Sequence, residues 1–306
     1  MTAEASPPVV WAESSHGVDW RVELARADLL PGRLVAGRIQ LEAHGAFEAE
    51  ALRIGLTATE HWKHEETSTD SEGHTTTRIV TSREVVVREP VSLLDRVSLA
   101  DGETREIAFE QPVPPLGPAS LDADVAGLEW TFEAKLDVPG GFDSRLERTV
   151  TVHQPTALLR AGAVTVGQFA LFDSADVAAD GVTGALELDP VPLACGQPFR
   201  GRVVLQVPGR VQLQEIRAEL RVHVEATVNQ GRSEDITAWS AVLVPSGTLD
   251  GERTIEFEGV LDSRPLPTVE LPHGKTAATF HLILARAWAP DTHLVRDVAI
   301  ATTSEL

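Results

Sequence analysis

The residues best suited to chemistry crowd into one stretch, EHWKHEETSTDSEGHTTTR, at residues 60–78. The imidazole and carboxylate side chains that suggest a metal site are those of His61, His64, His74, Glu60, Glu65 and Asp70. Ligands of these two types together suit zinc or nickel. One hypothesis is therefore a metal-binding module or enzyme that uses His61, His64 and His74.

The spacing of the histidines opposes a shared metal ion if the stretch forms strands. His61 and His64 are an odd number of residues apart, so a strand directs them to opposite faces. A hairpin that turns near residues 71–73 also leaves His64 and His74 out of register across the two strands. The sequence therefore favours no metal site, while the histidine alternative stays open.

Two further interpretations of the same stretch remain, a solvated hairpin tip and a hairpin that recognises a protein partner. An aromatic side chain on an exposed ribbon is a ready anchor for a partner, which favours recognition through Trp62. Packing of Trp62 in the core is the competing explanation. The candidate partner-binding residues are Trp62, His64, Glu65, Glu66, Asp70 and His74.

Other stretches with catalytic potential lack a necessary feature. HGKT (273–276) resembles the end of a phosphate-binding loop, but Val269 occupies the required glycine position and a strand is expected to follow. Asp122 and Asp124 would share one face of a strand, yet an acid/base pair also needs a pocket. No nucleophile elbow, zinc-protease helix motif or dinucleotide loop is present. We expect no enzyme activity and no cofactor.

Composition limits the classes of partner. The 306 residues carry a net charge of −20, which repels phosphate backbones and anionic lipid and so predicts no nucleic-acid partner. The single cysteine, Cys195, excludes an internal disulfide. No basic residue precedes Arg21, and no apolar run reaches the roughly 18 residues of a membrane span. A cytoplasmic protein without an integral membrane segment is predicted.

The elements that must position these residues are strands. Apolar and polar residues alternate through GLEWTFEAKLDV (127–138) and through the residues from Ile216 to Glu225. Alternation gives each strand one dry and one wet face, which antiparallel sheets packed as a sandwich require. Turn dipeptides such as Pro31-Gly32 and Asp250-Gly251 separate the segments.

The chain is also duplicated. LPGRLVAGRIQL (30–41) and ACGQPFRGRVVL (194–205) align at a constant offset of 164 residues. Further along, Phe132 corresponds to Phe280 at an offset of 148 residues. A boundary near residues 153–163 predicts two domains, at residues 1–158 and 159–306.

The duplicated pattern resembles the arrestin superfamily over roughly residues 20–305. The matching segments are LPGRLVAGRIQL (30–41), ALRIGLTATE (51–60), REIAFEQPVPPLGPAS (105–120), GLEWTFEAKLDV (127–138), CGQPFRGRVVL (195–205) and VQLQEIRAEL (211–220). The resemblance implies an all-β fold of two tandem immunoglobulin-like, arrestin-type antiparallel β-sandwiches. It also implies a scaffold or adaptor that binds a protein partner through the 60–78 loop and the interdomain concave surface.

Departures from the family narrow this expectation. The chain has no tyrosine and therefore no Pro-Pro-x-Tyr tail of the ligase-recruiting adaptors. The basic phosphate sensor of receptor-binding members is not carried over, because the corresponding strand offers only His153. The glycine-rich opening of the sporulation-control branch is missing as well. We expect a prokaryotic member outside that branch.

Overall fold

The computed structural model describes residues 8–160, 174–179, 181–286 and 289–303, and these form strands and one short helix. In the first half of the chain the elements are β1 (Val9–Ser15), β2 (Val18–Leu24), β3 (Asp28–Leu29), β4 (Leu34–Ala43), β5 (Phe47–Ala49), β6 (Ala51–Thr69), β7 (Thr75–Leu94), β8 (Val97–Leu99), β9 (Thr104–Pro112), β10 (Ala126–Asp137), β11 (Ser144–Val152) and α1 (Thr156–Arg160). In the second half they are β12 (Ser174–Ala179), β13 (Val182–Asp189), β14 (Leu193–Ala194), β15 (Pro198–Ala226), β16 (Ser233–Val244), β17 (Gly247–Val260), β18 (Gly274–Arg286), β19 (Thr292–Val298) and β20 (Ile300–Ala301).

The first half folds into two main sheets. One has the strand order β1-β2-β4-β9 and the other has the order β3-β11-β10-β6-β7. Phe109 of β9 stacks on Phe132 of β10, with ring centroids 5.7 Å apart, so the inner faces of the two sheets meet at a shared core. Alternation buries Trp130 and Phe132 completely, as the period-two pattern predicts.

The second half uses one long strand where the first half uses two. The first part of β15, 198–207, pairs with β13 and β17, and the second part, 213–226, pairs with β16 and β18. These pairings correspond to those of β4 and β6 in the first half. An irregularity in register lies between Val207 and Val211, and the pairing with β17 continues to Leu213, where the pairing with β18 begins.

A glycine beneath two stacked phenylalanines occurs in both halves. Gly37 pairs with Phe109, and a methyl group on Gly37 would lie 2.5 Å from the Phe109 ring. Gly201 pairs in the same way with Phe257, whose ring stacks on Phe280 at 5.5 Å. The glycines that align at the predicted offset are therefore kept because only a hydrogen atom fits beneath each ring.

Short parallel pairs are the exception to the antiparallel pattern. Leu29 of β3 pairs with Val152 of β11, and Leu193 of β14 pairs with Ile300 of β20. These pairs again match at the offsets of the duplication. The architecture confirms the predicted all-β class with antiparallel sandwiches.

The described residues cluster into two compact units that are not continuous in sequence. The first unit contains residues 8–60, 83–120 and 128–153. The second contains residues 61–82 and 121–127 together with the described residues from 154 onwards. Residues 161–163 of the predicted boundary region lie outside the described residues, and α1 occupies the residues just before them.

Candidate functional site

Strands β6 and β7 form a long hairpin whose end is exposed to solvent. Every residue from 66 to 79 is exposed, and we call this segment the ribbon. The hydroxyl groups of Thr67 and Thr77 lie 3.2 Å apart, which sets the cross-strand register. Arg78 donates from two nitrogens to Glu66, at 2.8 and 3.2 Å, so opposite charges face each other across the strands. β-branched threonines favour this extended conformation.

The turn of the ribbon is organised by one carboxylate. Asp70 accepts hydrogen bonds from the backbone N–H groups of Glu72 and His74, both at 2.9 Å. The hydrogen bond from the His74 backbone holds the pKa of Asp70 below its usual range. Gly73 adopts a φ of 83°, which glycine tolerates at no steric cost. The turn therefore lies where the hairpin pattern predicts it, at residues 71–73.

The residues before the ribbon, 61–65, are partly buried, and we call them the ribbon base. The backbone N–H of Lys63 donates to the Val125 carbonyl at 2.8 Å, and its ammonium group lies 2.6 Å from Asp124. The carboxylate of Glu234 accepts from the backbone N–H groups of Asp124 and Val125, at 2.7 and 2.9 Å. Loop 121–127 is thus bonded both to the base and to β16.

A second set of contacts joins the base to the turn between β15 and β16. His64 and Gly231 form an isolated antiparallel bridge. The Glu65 carboxylate lies 2.7 Å from Arg232, and the Arg232 backbone N–H donates to the Lys63 carbonyl at 3.0 Å. The Glu65 N–H donates to Gln230, also at 3.0 Å. Backbone bonds and an ion pair therefore hold the ribbon base against this turn.

Aromatic packing completes the base. The Trp62 ring stacks on the His273 imidazole, with centroids 3.9 Å apart and planes 11° from parallel. His61 lies within 3.2 Å of the Ala123 carbonyl and packs directly over Gly127, where a methyl group would collide with the imidazole. Trp62 therefore packs within the protein rather than standing free on the ribbon.

The structure does not bring the three histidines together. His61 contacts loop 121–127, whereas His74 lies at the exposed turn with Nδ1 3.3 Å from Asp70. His64 lies 3.7 Å from Glu66 through Nε2, and its buried Nδ1 has no hydrogen-bond partner among the described residues. Within the part of the chain that the structure describes, no group of three His, Cys, Asp or Glu side chains is placed to hold a metal ion.

Sequence reasoning missed the residues that hold the base in place. Lys63, Arg232 and Glu234 were not candidates, and Asp124 and His273 were considered for other chemistry. The structure gives the Asp124 carboxylate an ion pair with Lys63 and gives His273 a stacking role. Opposite charges were the available signal, but a pair such as Glu65–Arg232, separated by 167 residues, cannot be assigned from one sequence.

These strands, packed around duplicated aromatic cores, define a tandem antiparallel β-sandwich protein. Residues 25–158 match the family model described as arrestin (or S-antigen), N-terminal domain. Over these residues the chain is similar to the arrestin family, which confirms there the resemblance predicted from the sequence. A search of curated proteins finds no match. No helix among the described residues is long and apolar enough to span a membrane.

Proposed function

We propose that the protein is a non-catalytic, cytoplasmic adaptor that binds a protein partner through the ribbon. The observation that carries the proposal is the contrast along β6: residues 66–79 are exposed, whereas residues 61–65 are partly buried and bonded on two sides. Because its base is held in place, the exposed ribbon loses little conformational entropy when a partner binds. This preorganisation favours binding.

The proposal divides the candidate residues by position. Trp62 and Glu65, with their contacts to His273 and Arg232, orient the ribbon. Glu66, Asp70 and His74 are exposed and would contact the partner. His64 lies between the two groups, with its side chain about one-fifth exposed.

The ribbon tip also suggests the charge of its partner. Glu66 is balanced by Arg78, but among the described residues Asp70 and Glu72 form ion pairs only with His74. A partner segment with arginine or lysine side chains would complement this acidic turn. Exposed charges of this kind act mainly on the association rate, so binding should weaken as ionic strength rises.

A nucleophilic role for the one cysteine is disfavoured by its environment. Cys195 is buried, and burial raises the pKa of its thiol. A protonated, inaccessible thiol is a poor nucleophile. The proposal therefore assigns Cys195 to packing at the turn before β15.

The experiment compares partner capture by the full chain and by variants of the ribbon. A tip variant combines Glu66→Gln, Asp70→Asn and His74→Gln, and asparagine keeps the turn because its side-chain oxygen accepts the same backbone bonds. A shortened variant deletes residues 68–69 and 75–76, which removes two cross-strand pairs and preserves alternation. Glu106→Gln, on exposed β9, is the matched control.

We expect the control to recover the partner as the unmodified chain does and both ribbon variants to lose it. Equal recovery by the unmodified chain and all variants would remove the ribbon from the proposal. Elemental analysis addresses the alternative that uses His61, His64 and His74. Stoichiometric zinc or nickel in protein never exposed to chelator would favour a metal-binding module instead.

A further inference from the structure

The outer edge of β7 carries a short sequence that is complementary to itself. β7 is the last strand of its five-stranded sheet, so its outer edge is not paired within that sheet. Residues 83–89 read Arg-Glu-Val-Val-Val-Arg-Glu and lie in the first compact unit. Val85 is 46% exposed, and Arg83 and Arg88 are exposed as well. An open edge with an exposed valine is a template for another strand.

Geometry restricts how this strand can pair with a copy of itself. In a two-fold antiparallel pair the axis passes through one residue facing its own copy, because successive side chains alternate between faces. If Val86 is that residue, Val85 faces Val87 of the second copy. Glu84 then faces Arg88, and Arg83 faces Glu89. The pairing creates four oppositely charged cross-strand pairs around a valine centre.

Other centres within this segment do not have that property. A centre at Arg83 or Arg88 places an arginine opposite its own copy, and a centre at Glu84 or Glu89 does the same with a glutamate. Centres at Val85 or Val87 leave the charges opposite uncharged residues. Like charges directly opposite destabilise a pair of strands, whereas opposite charges stabilise it. The charge pattern therefore selects one register.

Charges on an edge strand usually protect against association, and this pattern does not. Protective charges repel a second copy or find no counterpart on it. Here neither Arg83 nor Arg88 forms an ion pair with a described residue, whereas the register centred on Val86 provides each with a carboxylate. The segment ends at Glu89, whose carbonyl accepts a hydrogen bond from the Gln111 side chain at 2.7 Å, and Glu84 also has a contact within the protein.

We propose that the protein forms a two-fold symmetric homodimer by antiparallel pairing of β7 over residues 83–89. The five-stranded sheets of two copies become one continuous sheet, with Val86 at the axis. This surface is separate from the ribbon, so the dimer would present two ribbons to partners.

Charge reversal tests the register. Sedimentation equilibrium of the full chain, up to about 0.2 mM, should show a monomer–dimer equilibrium. Arg88→Glu alone and Glu84→Arg alone each turn two attractive pairs into repulsive ones, and each should raise the dimer Kd roughly tenfold or more. The double variant Glu84→Arg/Arg88→Glu restores opposite charges and should restore dimers. An equimolar mixture of the two single variants should form heterodimers for the same reason.

A disulfide test reports the axis directly. Directly opposite residues have Cα atoms about 4.5–5.5 Å apart, within the range a disulfide spans. Val86→Cys should therefore give a covalent dimer under mild oxidation, whereas Val242→Cys, at a more exposed position on β16, should not. A monomeric unmodified chain would overturn the proposal. So would a dimer that is insensitive to charge reversal, or one that Val86→Cys fails to cross-link.

Discussion

The Trp62–His273 stack supports a quantitative prediction about how the ribbon is held. The rings lie 3.9 Å apart and nearly parallel, and Trp62 is partly buried. Aromatic pairs in such geometry contribute about 0.5–1.5 kcal/mol beyond the area they bury. Trp62→Ala also exposes apolar surface, so we expect it to lower the free energy of unfolding by about 1–3 kcal/mol.

A double-mutant cycle isolates the stack from the other contacts of each side chain. Trp62→Ala, His273→Ala and the double variant are unfolded in urea at constant pH and followed by far-ultraviolet circular dichroism. We expect a coupling free energy of about 0.5–1.5 kcal/mol. The same cycle on His16 and Phe142 is the control, because that pair lies 5.6 Å apart and Phe142 is 81% exposed.

The control pair should give a smaller coupling, since solvent competes for both rings. A Trp62–His273 coupling indistinguishable from zero would refute the conclusion that stacking fixes the base. The ribbon would then be held by its backbone bonds and ion pairs alone.

Two further predictions concern stability. Gly37→Ala and Gly201→Ala should each lower the free energy of unfolding by about 1–3 kcal/mol, because a methyl group would press on a phenylalanine ring. Gly55→Ala, whose added carbon would lie 3.7 Å from its nearest neighbour, should change it by less than about 0.5 kcal/mol; equal losses in urea unfolding would contradict this. Burial lowers the pKa of His281 from its ordinary 6.5, with Arg221 adding to the effect. The unfolded chain then binds the proton more readily, so the stability difference between the protein and His281→Gln should shrink as pH falls below about 6.5, and a pH-independent difference would refute it.

The sequence predicts those parts of the fold that depend on local pattern. Alternation identifies strands such as β10, because one buried face forces a period of two. Turn chemistry locates the bend at Gly73, and the offset of 164 residues identifies Gly37 and Gly201 as equivalent. What stays hidden is register over long distances. The irregularity in β15 and the parallel pairing of β3 with β11 depend on contacts with remote strands rather than on neighbouring residues.

In the candidate site too, local sequence predicts some features, whereas others depend on remote residues. The composition of 60–78 indicates an exposed hairpin, but the interpretation of Trp62 depends on His273, 211 residues later. The sequence pattern is the same for a partner-binding tryptophan and for a packed one, because both are aromatic residues on a strand. The contact with His273 favours packing within the protein, and because residues 66–79 are exposed we propose Glu66, Asp70 and His74 for recognition.

The base of the ribbon contacts the turn that stands in the equivalent place of the second half. The first half extends β6 and β7 into the ribbon, whereas the second half has the short turn NQGRSED at residues 229–235. That short turn supplies Gly231 as the bridge partner of His64 and Arg232 as the ion-pair partner of Glu65. A second ribbon of equal length in place of 229–235 would remove these partners. The two copies therefore differ in two connected features. The first copy has an extended ribbon, and the second has the short turn that holds the base of that ribbon.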